Sequence, residues 1–110
     1  MYNLSKAAPD VAHAVGAAER SNSIALRDNA LLVAAMIDGA MQSGLPIEAD
    51  HEIIGYALAG VALHGESRGH YVQMHRRLAA LARKNDLSPS AYGDCVPAPS
   101  AELHAIGRAA

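Results

Sequence analysis

The residues best suited to chemistry lie in a polar run, HGESRGH, at positions 64–70. It holds two histidines and an arginine, and amphipathic helical patterns flank it on both sides. Arginine and histidine donate charge-assisted hydrogen bonds to carboxylates and phosphates, and histidine exchanges protons near neutral pH. This run is therefore the first candidate for a site that binds a small anionic ligand.

On a continuous helix of about 3.6 residues per turn, four polar side chains of this region point toward the apolar side of the helix. They are His64, Arg68, Tyr71 and His75. Cationic groups are costly to bury without partners. The acceptors must therefore come from another part of the chain.

A second polar patch, ERSNS at residues 19–23, supplies acceptors if the chain folds back at the SGLP turn. Residues 19–23 then lie level with residues 64–71, and Glu19 and Asn22 are the expected partners of Arg68. Such a layer either binds a ligand or fixes register and oligomeric state, as a polar residue in a coiled-coil seam does, and we favour the structural role. The candidate ligand-binding set comprises His64, Arg68, Tyr71, His75, Glu19 and Asn22.

The remaining motifs predict neither a reaction nor a metal. Glu48 and His51 have the E-x-x-H spacing of di-iron carboxylate bundles, but they lie in the first turn of a predicted helix, where acids favour the helix dipole. Glu66 and His70 are spaced as a surface pair and have no third ligand nearby. We therefore predict no catalytic residue, no metal site and no cofactor.

Two long helical patterns, at residues 9–43 and 46–86, must position these groups. Pro9 suits the first turn of the first helix, and Gly44 followed by Pro46 ends it. The short turn between the two patterns predicts an antiparallel helical hairpin. An uncharged seam with alternating spacings of four and three residues follows the first helix; it comprises Val11, Val15, Ala18, Asn22, Ala25, Asn29, Leu32, Met36 and Gly39, with Leu26, Val33 and Ala40 beside it.

The polar patches leave two arrangements open in the middle of each helix, which we call mid-height. Gly65 as a C-cap, and Ser23 or Ser67 as an N-cap, favour a break in each helix. The seam passes through Asn22 without interruption, which favours two continuous helices. The interrupted arrangement has four shorter helices, at 9–20, 23–43, 46–64 and 67–86.

Composition restricts the class of protein. Phe and Trp are absent and β-branched residues are scattered, which is typical of an all-α domain with closely packed helices. The net charge of −2 argues against a nucleic-acid partner. The apolar run at 30–37 is too short to cross a bilayer, and the N-terminus has no secretory pattern, so we expect no membrane partner. Cys95 is the single cysteine, which fits a cytoplasmic protein.

Residues 87–110 differ in character from the predicted helical domain at residues 1–86. Three of the five prolines fall there, among Ser, Gly and Asp, which indicates an irregular C-terminal tail. A short helix at 100–107 is compatible with Ser100 as its N-cap. We expect this tail to contribute little to the core.

A single hairpin leaves apolar stripes uncovered on both of its helices. Two copies would bury these stripes as a four-helix bundle, and we therefore expect a homodimer. The predicted function is that of a small helical interaction or regulatory protein rather than an enzyme. The alternative is an anion- or small-molecule-binding bundle, enzymatic or not, that uses the mid-helix layer of His, Arg and Tyr.

Overall fold

The computed structural model describes residues 4–93, and these residues form two α-helices joined by turns. Helix α1 is Leu4–Gln42, with 39 residues, and helix α2 is Ile47–Lys84, with 38 residues. No strand occurs within residues 4–93. The prediction of an all-α fold is confirmed. Neither helix of this described part combines the length and the apolar character that crossing a membrane requires.

The described residues pack as two units. Gly16–Gln73 forms one of them, which we call the hairpin unit. Residues 4–15 and 74–93 belong to the other, which we call the terminal unit. Within the hairpin unit α1 and α2 lie side by side, because the amide of Asn22 on α1 donates a hydrogen bond to the carbonyl oxygen of His64 on α2.

The turn between the helices is closed by backbone hydrogen bonds at the end of α1. The Leu45 N–H donates to the Ala40 carbonyl at 2.9 Å, and the Gly44 N–H donates to the Met41 carbonyl at 3.2 Å. This pair of hydrogen bonds is a Schellman motif, in which the first residue after the C-cap, here Gly44, adopts a left-handed conformation. Gly44 has φ 65°, so the prediction of a glycine C-cap at this position is confirmed.

Helix α1 begins at Leu4, and the prediction that it begins at Pro9 is wrong. Pro9 lies inside the helix, where it contributes no backbone N–H. Ala8, immediately before it, is buried in the terminal unit against Ala82 and Tyr92. Packing of Ala8 therefore stabilises a helical turn that the local sequence disfavours.

Both helices are continuous at mid-height, so the alternative with four shorter helices is wrong. Residues 19–23 are helical, and α2 passes through Gly65 and Gly69 without a break. A glycine inside a helix costs about 1 kcal/mol relative to alanine, so two glycines weaken α2 without ending it. Packing along the hairpin offsets that cost, since α2 lies against α1 at this level.

The contact between the helices follows the predicted seam at mid-height and leaves it toward the turn. Asn22 and Asn29 are half-buried, as the seam predicts, whereas Leu32 and Gly39 are exposed. Their neighbours Val33 and Ala40 take their places in the contact. An α-helix repeats about every 3.6 residues, whereas the predicted seam repeats every 3.5, so the seam turns away from the contact by about 20° per heptad and the following residues replace it near the turn.

The terminal unit has a small core of its own. Tyr92 is only 4% exposed and packs with Ala8 and Ala82. A second Schellman motif ends α2, with Asp86 at φ 60° and a 2.8 Å hydrogen bond from the Leu87 N–H to the Ala82 carbonyl. Leu78, Leu87 and Ala91 surround this core. The first residues after α2 are thus packed on the helices, and the predicted helix at 100–107 lies outside the described residues.

Candidate functional site

The hairpin brings the two polar patches to the same height, as their positions in the sequence predict. Nη1 of Arg68 lies 3.1 Å from Oγ of Ser23, to which it donates a hydrogen bond. Nδ2 of Asn22 donates to the main-chain oxygen of His64 at 3.4 Å. Two hydrogen bonds between side chains of α1 and groups of α2 therefore mark this level of the hairpin unit.

The side chain of Arg68 does not point in the predicted direction. We expected its guanidinium to point at the core and to contact Glu19 or Asn22, but Arg68 is exposed and its partner is the hydroxyl of Ser23. The long alkyl chain of arginine starts near the contact between the helices and carries the charge out to solvent. The arrangement is therefore a surface polar layer, because hydration stabilises the guanidinium more than burial would.

The other residues of the candidate set are only partly buried. Glu19, His64 and Tyr71 are half-buried in the hairpin unit, and His75 is half-buried in the terminal unit. The Asn22 amide contacts the backbone of His64, so the imidazole has no part in that bond. Among the described residues no polar or charged residue is buried. The layer is therefore partly solvated.

A shallow depression lies on the surface of α1 beside the Arg68–Ser23 hydrogen bond. It is open to solvent and contains two charged residues, one acidic and one basic. Gly16 contributes no side chain, and Nη1 of Arg20 lies 3.3 Å from the point where a Cβ at Gly16 would be. The residues that line it are Gly16, Glu19, Arg20, Ser23 and Ile24. Such a surface can hold a small polar group through arginine and hydroxyl donors.

A second groove lies at the tip of the hairpin, around the turn, and it is mostly apolar. Ile47 is 79% exposed and Met41 is similarly open to solvent. Asp50 and His51 are the only ionisable residues that line it. The complete lining is Ile37, Ala40, Met41, Leu45, Ile47, Asp50, His51 and Ile54. This groove was not predicted, although the apolar spacing on both sides of the turn is visible in the sequence.

The tip groove belongs to a longer apolar surface on one side of the hairpin unit, which we call the groove face. Side chains spaced by four or seven residues share a side of a helix. Ile37 and Ile54 line the tip groove, and steps of four and seven from them place other apolar residues on the same side. The groove face comprises Leu26, Ala30, Val33, Ile37 and Met41 on α1 and Ile47, Ile54, Leu58, Val61 and Val72 on α2.

Spacings of four and seven residues also connect the groove face with the polar layer. Glu19 lies seven residues before Leu26, and Arg68 lies seven residues after Val61. The groove face therefore has an acidic and a basic residue at the end distant from the turn. The opposite face of the hairpin carries large apolar residues among smaller ones; it comprises Leu32, Ile53, Tyr56 and Leu63 with Ala18, Ser21, Ala25, Gly39, Gly60 and Ser67.

The described residues contain no group of three or more His, Cys, Asp or Glu side chains that could hold a metal ion. Glu48 and His51 both lie exposed at the start of α2. Comparison of the chain with family models, with curated proteins and with solved structures finds no match. The function must therefore be argued from the surfaces of the hairpin.

Proposed function

We propose that this chain is a small helical interaction or regulatory protein that acts without catalysis as a homodimer, in which two hairpins complete a four-helix bundle. One observation carries the proposal: the described residues bury very little large apolar surface. Their buried residues are Ala8, Val15, Val33, Ala79, Ala82 and Tyr92, and no large side chain is fully buried.

The apolar side chains that remain exposed are numerous. Among the described residues fourteen large hydrophobic side chains are exposed, and ten of them lie in α1 and α2 of the hairpin unit between Ile24 and Leu63. Full burial of a leucine or isoleucine side chain contributes about 1.5–3 kcal/mol, so covering several of them stabilises a complex by many times the thermal energy. Where such side chains lie next to one another, as around the tip groove, the exposed apolar surface marks a candidate protein interface.

A second copy is the partner that accounts for two uncovered helices most simply. Four-helix bundles form readily when two hairpins cover one another, and closed two-fold dimers are the commonest oligomers. We further propose that the dimer works in the cytoplasm, since the single cysteine, Cys95, cannot form an internal disulfide.

Sedimentation equilibrium over a wide range of micromolar concentrations tests the homodimer. We expect twice the mass of the chain at all but the lowest concentrations, together with a melting temperature that rises with protein concentration. A mass equal to one chain throughout, with a melting temperature independent of concentration, would reject the proposal.

A second candidate function is the binding of a small anion at the polar layer. Arg68 and Arg20 favour it, because the first bonds to Ser23 and the second lies beside Ser23 in the same open depression. Calorimetric titration with phosphate and with acetate should then show binding that Arg68→Met abolishes without loss of helicity. Equal heats for both proteins, or no binding by the wild type, would exclude this function.

A further inference from the structure

Charge is distributed unevenly along this chain. From residue 28 to residue 67 the sequence has six acidic residues and no lysine or arginine. Four of the six lie within two helical turns of the residues that join α1 and α2; they are Asp38, Glu48, Asp50 and Glu52. Although the whole chain has a net charge of only −2, the end of the hairpin unit that contains the turn is therefore strongly acidic.

These acidic residues surround the tip groove. Asp50 lines the groove and is half-buried, and Asp38 and Glu48 each follow an apolar residue that lines it. Three of the four acids stabilise the start of α2 through the helix dipole. Asp38 lies near the end of α1, where a carboxylate has no such effect, so helix stability does not account for the whole acidic rim.

The tip groove combines this charge with apolar surface. Met41 and Ile47 are 74% and 79% exposed, and Leu45 beside them is exposed as well. The groove has a volume of about 240 Å³, which is smaller than the roughly 300–1,000 Å³ of pockets that enclose a small molecule. It is therefore suited to one or two apolar side chains of a protein partner, which act as anchors.

An acidic rim around apolar surface selects the chemistry of the partner. Nucleic acids and anionic membrane surfaces are repelled by this charge, and so is the tip of a second copy. A segment that carries apolar side chains flanked by lysine or arginine complements both the groove and its rim.

The chain has a basic segment of its own, but that segment lacks free apolar anchors. Its exposed basic residues belong to the terminal unit and are Arg76, Arg77, Arg83 and Lys84. Ala79 and Ala82 between them are buried, and Leu78 packs against the core of the terminal unit. A second copy thus offers charge without a free row of apolar side chains, which favours a different protein as the occupant.

We propose that the tip groove binds a basic amphipathic helix of a partner protein. Apolar side chains of that helix cover Met41 and Ile47, and its lysine or arginine residues lie beside Asp50 and the other acids of the rim. Helices that bind in grooves place their anchors three, four and seven residues apart. This inference goes beyond the proposed homodimer and does not rest on it, because the groove belongs to a single chain. Two copies that meet through the groove face would compete with this partner for the groove.

Fluorescence anisotropy with a labelled model peptide tests the chemistry of the partner. The probe is a helical peptide of about 18 leucine and lysine residues, with its leucines three and four residues apart, and the full chain is the titrant. We expect saturable binding that weakens as the salt concentration rises, because salt screens the charges of the rim. A peptide with glutamate in place of every lysine should not bind. A peptide of the same composition, scrambled so that its leucines share no side, should bind about tenfold more weakly or less.

Two matched pairs of variants locate the binding site. Ile47→Ser removes an apolar side chain of the groove, and we expect it to weaken binding of the lysine peptide about tenfold. Leu63→Ser, at a leucine that is 65% exposed on the opposite face, should leave binding unchanged. Asp50→Asn should weaken binding about threefold. Asp28→Asn removes an equal charge, from an exposed aspartate beside Arg27, and should have a smaller effect. Circular dichroism of each variant establishes that its helices are intact.

Three results would overturn this inference: equal binding of the glutamate and lysine peptides, no binding of the lysine peptide up to millimolar concentrations, or equal weakening by Ile47→Ser and Leu63→Ser. Sedimentation equilibrium of the chain without peptide separates these results from the fate of the homodimer. A monomer that binds the lysine peptide would reject the homodimer and leave the docking site standing. A dimer that does not bind the peptide would do the reverse.

Discussion

Replacement of Leu58 by glutamate tests the groove face as the dimer surface, and Leu63→Glu is its matched control. Both leucines lie on α2 in the hairpin unit, and they are 51% and 65% exposed. Five residues separate them, which turns their side chains to opposite sides of the contact between α1 and α2. Leu58 thus lies on the groove face and Leu63 on the opposite face, with equal chemistry and similar exposure.

The expected effect follows from the exposed part of the Leu58 side chain. Full burial of a leucine contributes about 1.5–3 kcal/mol, so covering the exposed half contributes about 1 kcal/mol per copy. A buried carboxylate without a partner adds a penalty of several kcal/mol. Because both copies carry the change, Leu58→Glu should raise the dimer dissociation constant by about a hundredfold or more.

Sedimentation velocity at matched concentrations measures this difference, with circular dichroism as the check on helicity. Leu58→Glu should sediment as a monomer, or lose helicity together with the dimer, whereas Leu63→Glu should behave as the wild type. Dissociation of the dimer by Leu63→Glu while Leu58→Glu leaves it intact would refute the choice of face. Equal dissociation by both variants would show that neither face is specific.

The terminal unit and the tail give three further predictions. Tyr92→Ala should lower the free energy of unfolding by about 3 kcal/mol in chemical denaturation, because it empties the core around Ala82, and a loss under 1 kcal/mol would contradict that packing. Asp86→Gly should raise the free energy of unfolding by about 0.5–1 kcal/mol, since glycine adopts the φ of 60° without strain; an unchanged value would show that the aspartate is not strained there. Removal of residues 96–110 should leave helicity and dimerisation nearly unchanged, because prolines and small polar residues bury little, and a large fall in melting temperature would show that this segment is structural.

Several features of this protein follow from local sequence signals alone. The turn between α1 and α2 lies where Gly44 and Pro46 predict it, because a left-handed C-cap and a residue that cannot extend the helix act over only a few positions. The solvent side of α2 also follows from the sequence for a related reason. Glu52, Glu66 and Arg77 all lie exposed, since helical periodicity alone separates them from the apolar side.

Other features depend on what each segment contacts. Helix α1 starts before Pro9 because Ala8 packs beneath Tyr92, and nothing in the residues around Pro9 indicates a partner more than eighty positions away. Residues 87–92 look irregular in sequence, yet Tyr92 becomes one of the most buried residues through the same contact.

The candidate site likewise combines features that the sequence predicts with features that depend on packing. The sequence alone predicts that the patches around Asn22 and Arg68 lie at the same level, because the turn and the helical rise per residue set the level of every residue. The exposure of Arg68 and its hydrogen bond to Ser23 could not be predicted in this way, because the rotamer of a long flexible side chain depends on the partners and the hydration available in the folded chain. The position of Val33, rather than Leu32, in the contact also depends on packing, since a seam that repeats every 3.5 residues turns gradually away from the partner helix.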